Sequence, residues 1–349
     1  MTFIKWFIRF FVLFVSLGAI VAAAIYYAIT APIELAKEQR FSIHAGDTSY
    51  QIGEELSNKG WVLDPILVRI VTKLHPEWIP KVGEYAITSG MNLLDLMALF
   101  DSGKSIVYSV TLLEGKTLRY YLETMSAKNN ITMSLEGLSN EQISKKFSLD
   151  VSNPEGQFFA NTYQYHKGDT DFSILQQSHR LLTQTLTSLW DKREKGLPYK
   201  TPYEALIMAS IIEKETGEPS ERPLISRVFV NRLQKGMRLQ TDPTVIYGLG
   251  ENFNGNLTRK DLRSKSPYNT YLHFGLPPTP IANVGKEAII AALNPGKTTS
   301  LYFVAKGDGT HAFSRTLQEH NKAVAKYQKY HRRADYKSSP ESTSKENSK

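Results

Sequence analysis

The sequence predicts an α+β protein with three parts: an N-terminal transmembrane helix, a small α+β module, and a larger mixed α+β domain built around one buried central helix. Three observations carry this reading. An uncharged stretch of 20 residues runs from Phe10 to Ile29, the length that crosses the hydrocarbon core of a bilayer as a helix. Strand-like and helix-like segments are interspersed along the rest of the chain. The run Ala205–Ile212 is apolar on every side, the mark of a helix enclosed by others.

At 349 residues the chain has room for two domains and an anchor. The expected division is 1–9 for a cytoplasmic N-terminus, 10–29 for the span, 30–40 for a linker, 41–104 for the module, 105–330 for the large domain and 331–349 for a disordered tail. Lys5 and Arg9 precede the span, which places the N-terminus in the cytoplasm, and Tyr26 and Tyr27 suit the outer interface. The apolar run exceeds a signal-peptide core and no clear cleavage site follows it, which favours a retained anchor. Residues beyond about Thr30 are then outside the cytoplasmic membrane.

In the module, Phe41–His44 reads as a strand. Asp47 or Thr48 caps a helix holding Ile52 and Leu56 that stops near Gly60. Pro65 opens a second helix with Leu67, Val68, Ile70, Val71 and Leu74, Tyr85–Ile87 is a strand, and Asn92 caps a third helix that stops at Gly103. The large domain starts with a strand over Ile106–Leu113 and a helix over Leu118–Met125. Residues 126–150 read as helical, 156–163 as an aromatic loop and strand, and Phe172–Lys195 as a long amphipathic helix. Thr201-Pro202-Tyr203-Glu204 forms a capping box for the buried helix, with Gly217 as its stop. Glu221–Lys235 is the next helix. Residues 238–280 read as mostly irregular, a length of loop that is usually functional. Lys286–Leu293 is a helix, Leu301–Ala305 and His311–Phe313 a hairpin, and Leu317–Lys329 a last helix.

Composition narrows the chemistry. The chain has no cysteine, hence no disulfide framework, thiolate metal site or cysteine nucleophile. Its eight histidines are scattered, no His-Glu-x-x-His occurs, and no metal or cofactor is expected. Phosphate-binding and nucleophile-elbow motifs are missing as well. The net charge of +8 is spread along the chain, and the location outside the cytoplasm argues against nucleic acid.

Glu213 and Glu215 end the apolar run. Burial disfavours a charged carboxylate and raises its pKa, and a carboxyl that keeps its proton near neutrality is a general acid. Glu213 shares a face with Leu206, Ala209 and Ser210; Glu215 shares one with Met208, Ile211 and Ile212. Periodicity does not choose between them. The loop 238–280 adds Gln240, Thr241, Asp242 and Tyr247, then Tyr268, Asn269 and Tyr271. Amide, carboxylate and hydroxyl groups beside aromatic rings suit a carbohydrate groove. The plainer reading of the same loop is turn formation by Asn and Pro. His311 reads as a packed or surface histidine.

Several long motifs resemble one family. Ala209-Ser-Ile-Ile-Glu-Lys-Glu-Thr216, Val230-Asn-Arg-Leu233, Gly236-Met-Arg-Leu-Gln-Thr-Asp-Pro-Thr-Val-Ile-Tyr-Gly248, Tyr268-Asn-Thr-Tyr271 and Gly275-Leu-Pro-Pro-Thr-Pro-Ile281 closely resemble the endolytic murein transglycosylases (MltG-like, or YceG-like), as do Glu155-Gly-Gln-Phe-Phe159 and His311-Ala-Phe313. The resemblance spans nearly the whole chain. It implies a single-pass inner-membrane protein with a LysM-like module and a periplasmic catalytic domain. The activity implied is lytic cleavage of the MurNAc–GlcNAc bond of nascent peptidoglycan, leaving a 1,6-anhydroMurNAc end and so terminating or trimming strand elongation. Glu213 is then the catalytic acid and afterwards the base. Glu155, Gln240, Thr241, Asp242, Tyr247, Tyr268, Asn269 and Tyr271 are candidates for substrate binding. The partners implied are glycan strands, the membrane and peptidoglycan synthases. A hydrolytic muramidase using Asp242 or Glu155 as second acid, and a non-catalytic wall-binding scaffold, are the alternatives. Asn161 departs from the aspartate common before Thr-Tyr, so position 161 is given no acid–base role, and Val284 stands where proline is common.

Overall fold

The computed structural model describes residues 2–330; the expected tail over 331–349 lies outside them. The first element, α1 (Thr2–Thr30), covers the apolar run and keeps nearly all of its side chains exposed. At about 1.5 Å per residue it is long enough to cross a bilayer. The chain divides into two units, residues 1–108 with 164–169, and residues 109–163 with 170–349.

In the first unit α1 is followed by β1 (Gln39–Ile43), α2 (Ser49–Asn58), α3 (Ile66–Leu74), β2 (Gly83–Ile87) and α4 (Leu93–Ser102). β1 and β2 pair antiparallel with Phe41 opposite Tyr85. Thr48, not Asp47, caps α2, in a reciprocal box with Gln51; Asn92 and Asp95 form the same box on α4, and Gly103 at φ 69° closes it. Each box satisfies two of the N–H groups a helix start leaves over. The core holds Phe41, Leu56, Val68, Val71, Tyr85, Leu96, Met97 and Phe100, and Ile29 from the end of α1 joins it.

The second unit is mainly helical. It contains α5 (Leu118–Ser126), α6 (Asn140–Lys146), α7 (Asp171–Trp190), α8 (Pro202–Glu215), α9 (Arg222–Gln234), α10 (Asp242–Leu249), α11 (Lys286–Leu293) and α12 (Leu317–Val324). The hairpin of β5 (Tyr302–Ala305) and β6 (His311–Ser314) is antiparallel, with Phe303 opposite Phe313. β3 (Val107–Leu112) and β4 (Asn161–His166) form a further two-stranded sheet, and the division between units falls within both strands. Every residue of α8 from Ala205 to Glu213 is buried, and the helix packs against α7, α9, α10 and α11. Removing one of its large side chains costs about 2–5 kcal/mol, because the packed neighbours relax only in part.

Several local expectations need correction. Of residues 126–150, Ser126 ends α5 and 140–146 form α6; turns and irregular chain take the rest, where Asn129-Asn130 and Gly137 interrupt any helical period. The stretch 238–280 carries a two-turn helix, α10, with proline near its start and Gly250 after its end. The box on α8 is only half formed: Thr201 accepts the Glu204 N–H, but the Glu204 carboxylate takes the N–H of Lys200 instead. α8 stops because Thr216 turns extended at φ −141°, not through a left-handed Gly217. The last helix widens to a π-helical stretch over Ala325–Tyr330.

Candidate active site

The two carboxylates at the end of α8 go to different places. Glu213 Oε1 accepts from Arg222 Nη2 at 2.9 Å, and Oε2 accepts the backbone N–H of Gly285 at 3.0 Å. One turn earlier on the same face, Ser210 Oγ accepts the N–H of Ile281 at 3.0 Å. The segment 281–285 is thus docked on α8 at two points. Its centre, Asn283, is fully buried and ties two other segments of the chain to its own. Its N–H and Nδ2 both donate to Lys116 O, its Oδ1 accepts the N–H of Phe158, and its carbonyl accepts the N–H of Gly115. The turn Glu114–Lys116 is thereby set beside Glu213, and Gly115 at φ 70° makes the turn possible.

Arg222, the first residue of α9, is buried. Its Nη2 also lies 3.6 Å from Glu114 Oε2, while its Nε has no hydrogen-bond partner. Glu114 lies tight against Gly285: a methyl group there would sit 1.8 Å from Glu114 Oε1. The preceding residue, Glu221, accepts the backbone N–H of His311 at 2.9 Å and contacts its Nδ1 at 2.7 Å. That buried pair pins the start of α9, and with it Arg222, to β6. Burial pushes the Glu213 carboxyl above its ordinary pKa, and the negative Glu114 adds to the rise. The Arg222 charge opposes it most, followed by the Gly285 N–H and Lys214.

Glu215 occupies a second environment. The Thr241 hydroxyl donates to its Oε1. Burial pushes its pKa up to about 7; the Thr241 bond and the Arg232 charge oppose this, and Asp242 adds to it. Glu215 lines a cavity of about 600 Å³ together with Lys214, Gln240, Asp242 and Tyr271. Tyr271 donates to Asp242 Oδ1 at 2.6 Å. Gln240 has a left-handed backbone, φ 51°, uncommon for a residue with a side chain. It is held there by its N–H to Thr270 O at 3.2 Å and by Arg232 Nη1 on its Oε1 at 3.3 Å. Strain of this kind persists where surrounding contacts over-determine it, and it is common at ligand sites.

The structure therefore groups Gln240, Thr241, Asp242 and Tyr271 around Glu215, with Glu213 outside the cavity lining. Glu155 meets the Glu213 region through Asn283, and its Oε1 accepts the N–H of Leu118 at the start of α5. Burial raises its pKa to about 7, with backbone bonds from Leu118 and Gly156 opposing. Tyr247 and Tyr268 form an edge-to-face pair with centroids 4.8 Å apart, joined by Asn153 and Thr279. Asn269 spends its amide on Leu262 O, Ser264 O and the Tyr271 N–H, which places it inside its own loop. Among the described residues no group of three or more potential ligands is placed to hold a metal.

Glu114, Arg222 and Gly285 escape the sequence reading. No spacing rule links positions 114, 222 and 285. One cue exists: an arginine in the first turn of a helix opposes the helix dipole and calls for a nearby anion.

Comparisons with known proteins give the family of the chain. The model of the YceG-like family matches residues 41–326. An endolytic murein transglycosylase of Bacillus subtilis is 36% identical over 264 residues, covering 71% of this chain and 73% of the relative. One from Streptococcus pneumoniae is 26% identical over 319 residues, covering 82% of this chain and 57% of that longer protein. The 2.6 Å crystal structure of a yceG-like protein from Listeria monocytogenes aligns with a TM-score of 0.51 at 30% identity, covering 82% of this chain and 99% of that one. With a family match over residues 41–326 and a relative 36% identical over 73% of its own length, the chain belongs to the YceG-like family.

Proposed function

We propose that this chain is an inner-membrane endolytic lytic transglycosylase that cleaves the MurNAc–GlcNAc bond of nascent peptidoglycan. The observation that carries the reading is Glu213: a buried carboxyl, raised in pKa, at the end of the central helix of a YceG-like chain. Its relatives are named endolytic murein transglycosylases.

In this mechanism the protonated Glu213 gives its proton to the glycosidic oxygen as the C1–O bond breaks. The carboxylate left behind accepts the proton of the muramoyl C6 hydroxyl, whose oxygen bonds to C1 and closes the 1,6-anhydro ring. Acid and base are the same group, and no water is consumed. Gln240, Asp242 and Tyr271, gathered on the cavity beside Lys214, supply polar groups suited to sugar hydroxyl and acetamido groups. Unit one, with two strands and paired helices, acts as a LysM-like glycan-binding module, and α1 tethers both units at the periplasmic face. A position beside peptidoglycan synthases and a role in ending or trimming strand growth follow from that tether.

Two observations favour rival readings. Glu215, not Glu213, lines the cavity, which would make it the acid. Glu114 places a second carboxylate on the same arginine, which suits a hydrolase that activates water. One experiment separates all three. Detergent-solubilised full-length chain is incubated with purified peptidoglycan and the products are weighed by mass spectrometry. The expected products lack one water per cut, Glu213→Gln cuts at least about 10²-fold more slowly, and Glu215→Gln still cuts at close to the wild-type rate. Products carrying the added water would establish hydrolysis. Activity in Glu213→Gln with none in Glu215→Gln would move the acid to Glu215.

A further inference from the structure

We infer that Glu114 is a positioning carboxylate of the active site: it takes up the Arg222 guanidinium when Glu213 is protonated, and so lets Glu213 hold a proton. This rests on the reading of Glu213 as the acid.

The geometry is specific. Arg222 uses one nitrogen, Nη2, toward both carboxylates, at 2.9 Å from Glu213 and 3.6 Å from Glu114. Its Nε is buried with no partner, so this guanidinium is not locked by the two-point fork that usually fixes an arginine on a carboxylate. Glu213 has only two oxygens, one taken by the Gly285 N–H and the other by Arg222. A proton on Oε1 competes directly with the Arg222 bond. Left alone, a buried arginine displaced from its only anion would be costly. Glu114 removes that cost by offering a second anion within a short swing.

Two features of the chain hold Glu114 in reach. Gly285 has no side chain, and the Glu114 carboxylate occupies the space a Cβ would fill. Glu213 therefore accepts the N–H of the same glycine on which Glu114 leans. The Glu114–Lys116 turn is fastened by Asn283 through the Gly115 N–H at 2.9 Å and the Lys116 carbonyl. The Glu114 side chain is 47% exposed, against 3% for Glu213, so one partner of Arg222 faces solvent and the other is enclosed. Charge can shift outward without leaving a bare ion in the core.

The titratable and charged groups that face Glu213 are Arg222 from α9, Glu114 from the turn after β3, Lys214 from α8 and Tyr121 from α5. Glu114 is the one other carboxylate among them. Removing its charge leaves Arg222 committed to Glu213 and takes away a like-charge repulsion. Both changes lower the Glu213 pKa.

The test is the pH–rate profile of the full-length chain in detergent on purified peptidoglycan, for wild type, Glu114→Gln and Glu114→Asp. The limb on which rate falls as pH rises reports the acid. In Glu114→Gln its midpoint is expected about one pH unit lower, so that the rate drops roughly tenfold well above the midpoint and matches wild type well below it. Glu114→Asp keeps the charge and is expected to restore most of the wild-type midpoint. An unmoved midpoint, or equal loss at every pH in both variants, would overturn the inference. So would a wild-type product that contains added water and a Glu114→Gln enzyme dead at all pH, since Glu114 would then be a base. Persistent activity in Glu213→Gln would instead mark failure of the underlying assignment of the acid.

Discussion

Glu84 on β2 and Glu213 on α8 both have buried side chains, 7% and 3% exposed, yet they are driven in opposite directions. Burial alone would raise Glu84, but Lys167 Nζ at 2.8 Å, the Tyr108 hydroxyl and the Arg40 charge together hold it below its ordinary value. Glu213 has one cation in ion-pair contact, through one nitrogen shared with Glu114, with a smaller contribution from the Lys214 charge, and burial wins. Glu215 has a hydroxyl in place of a close cation and rises to about 7. Desolvation pushes every enclosed carboxyl toward its neutral form, and the number of cations committed to it decides the outcome. Unit one spends two cations on keeping a structural carboxylate charged. Unit two commits one to Glu213, and burial there favours the neutral form.

The sharpest way to break this comparison is to remove each carboxyl in turn. Glu213→Gln keeps the shape and can still accept from Gly285, but it has no proton to give. A loss of about 10²–10⁴-fold in turnover is expected, the usual worth of a general acid. Glu84→Gln leaves the chemical step untouched, since the carboxylate is tied up by its own unit. Mass spectrometry of released glycan fragments measures both. Equal losses in the two variants would mean that enclosure of a carboxylate, not its proton, is what matters here.

How much of this was legible beforehand follows the range of the interactions. The elements of unit one, the start of α8 at Thr201, and the β5–β6 hairpin follow from caps, glycines and short-range period, which act over a few residues; the end of α8 does not, because the chain turns extended at Thr216 before Gly217. Helix α10 was missed because Thr241 offers no side-chain cap, and the turn residues around it point to loop. The choice between Glu213 and Glu215 depends on groups 70 to 100 positions away, Gly285 and Glu114, which no periodicity can bring together. The aromatic residues of the long loop read as one groove, but Tyr247 and Tyr268 pair with each other while Tyr271 turns to Asp242. Side-chain types set what the loop could bind; only packing divides it.

The next largest effect is on stability, and its sign follows from the direction of the shifts. Glu155 and Glu215 have folded pKa values near 7, above the unfolded value of about 4.5. Between those values the native state holds protons that the unfolded chain has lost, so stability falls as pH rises. A shift of this size corresponds to about 3 kcal/mol per group, as an order of magnitude. Unit two is therefore expected to be more stable at pH 5 than at pH 7.5. Glu215→Gln, which keeps an oxygen for the Thr241 hydroxyl, should recover much of one group's share at pH 7.5 and almost none at pH 4. Hydrogen exchange of the α8 amides reads this directly. Protection independent of pH over that window would mean that the carboxyls are wetter than their packing indicates.

The smallest effect concerns Glu84 and has the opposite sign. Its folded pKa is depressed, so the stability it contributes is present above the unfolded value and disappears as pH falls through the folded one. Lys167→Met removes the nearest cation but leaves Arg40, Tyr108 and Ser42 in place. Lys167 is 40% exposed, and solvent screens what it supplies. A loss of roughly 1 kcal/mol at pH 7 is expected, shrinking toward zero as pH falls through the depressed folded value and Glu84 takes a proton in both proteins. Exchange of the β2 amides isolates unit one from the titrations in unit two. If that loss instead grew as the pH was lowered, Glu84 would be storing a proton as Glu213 does, and the two carboxylates would differ in place but not in kind.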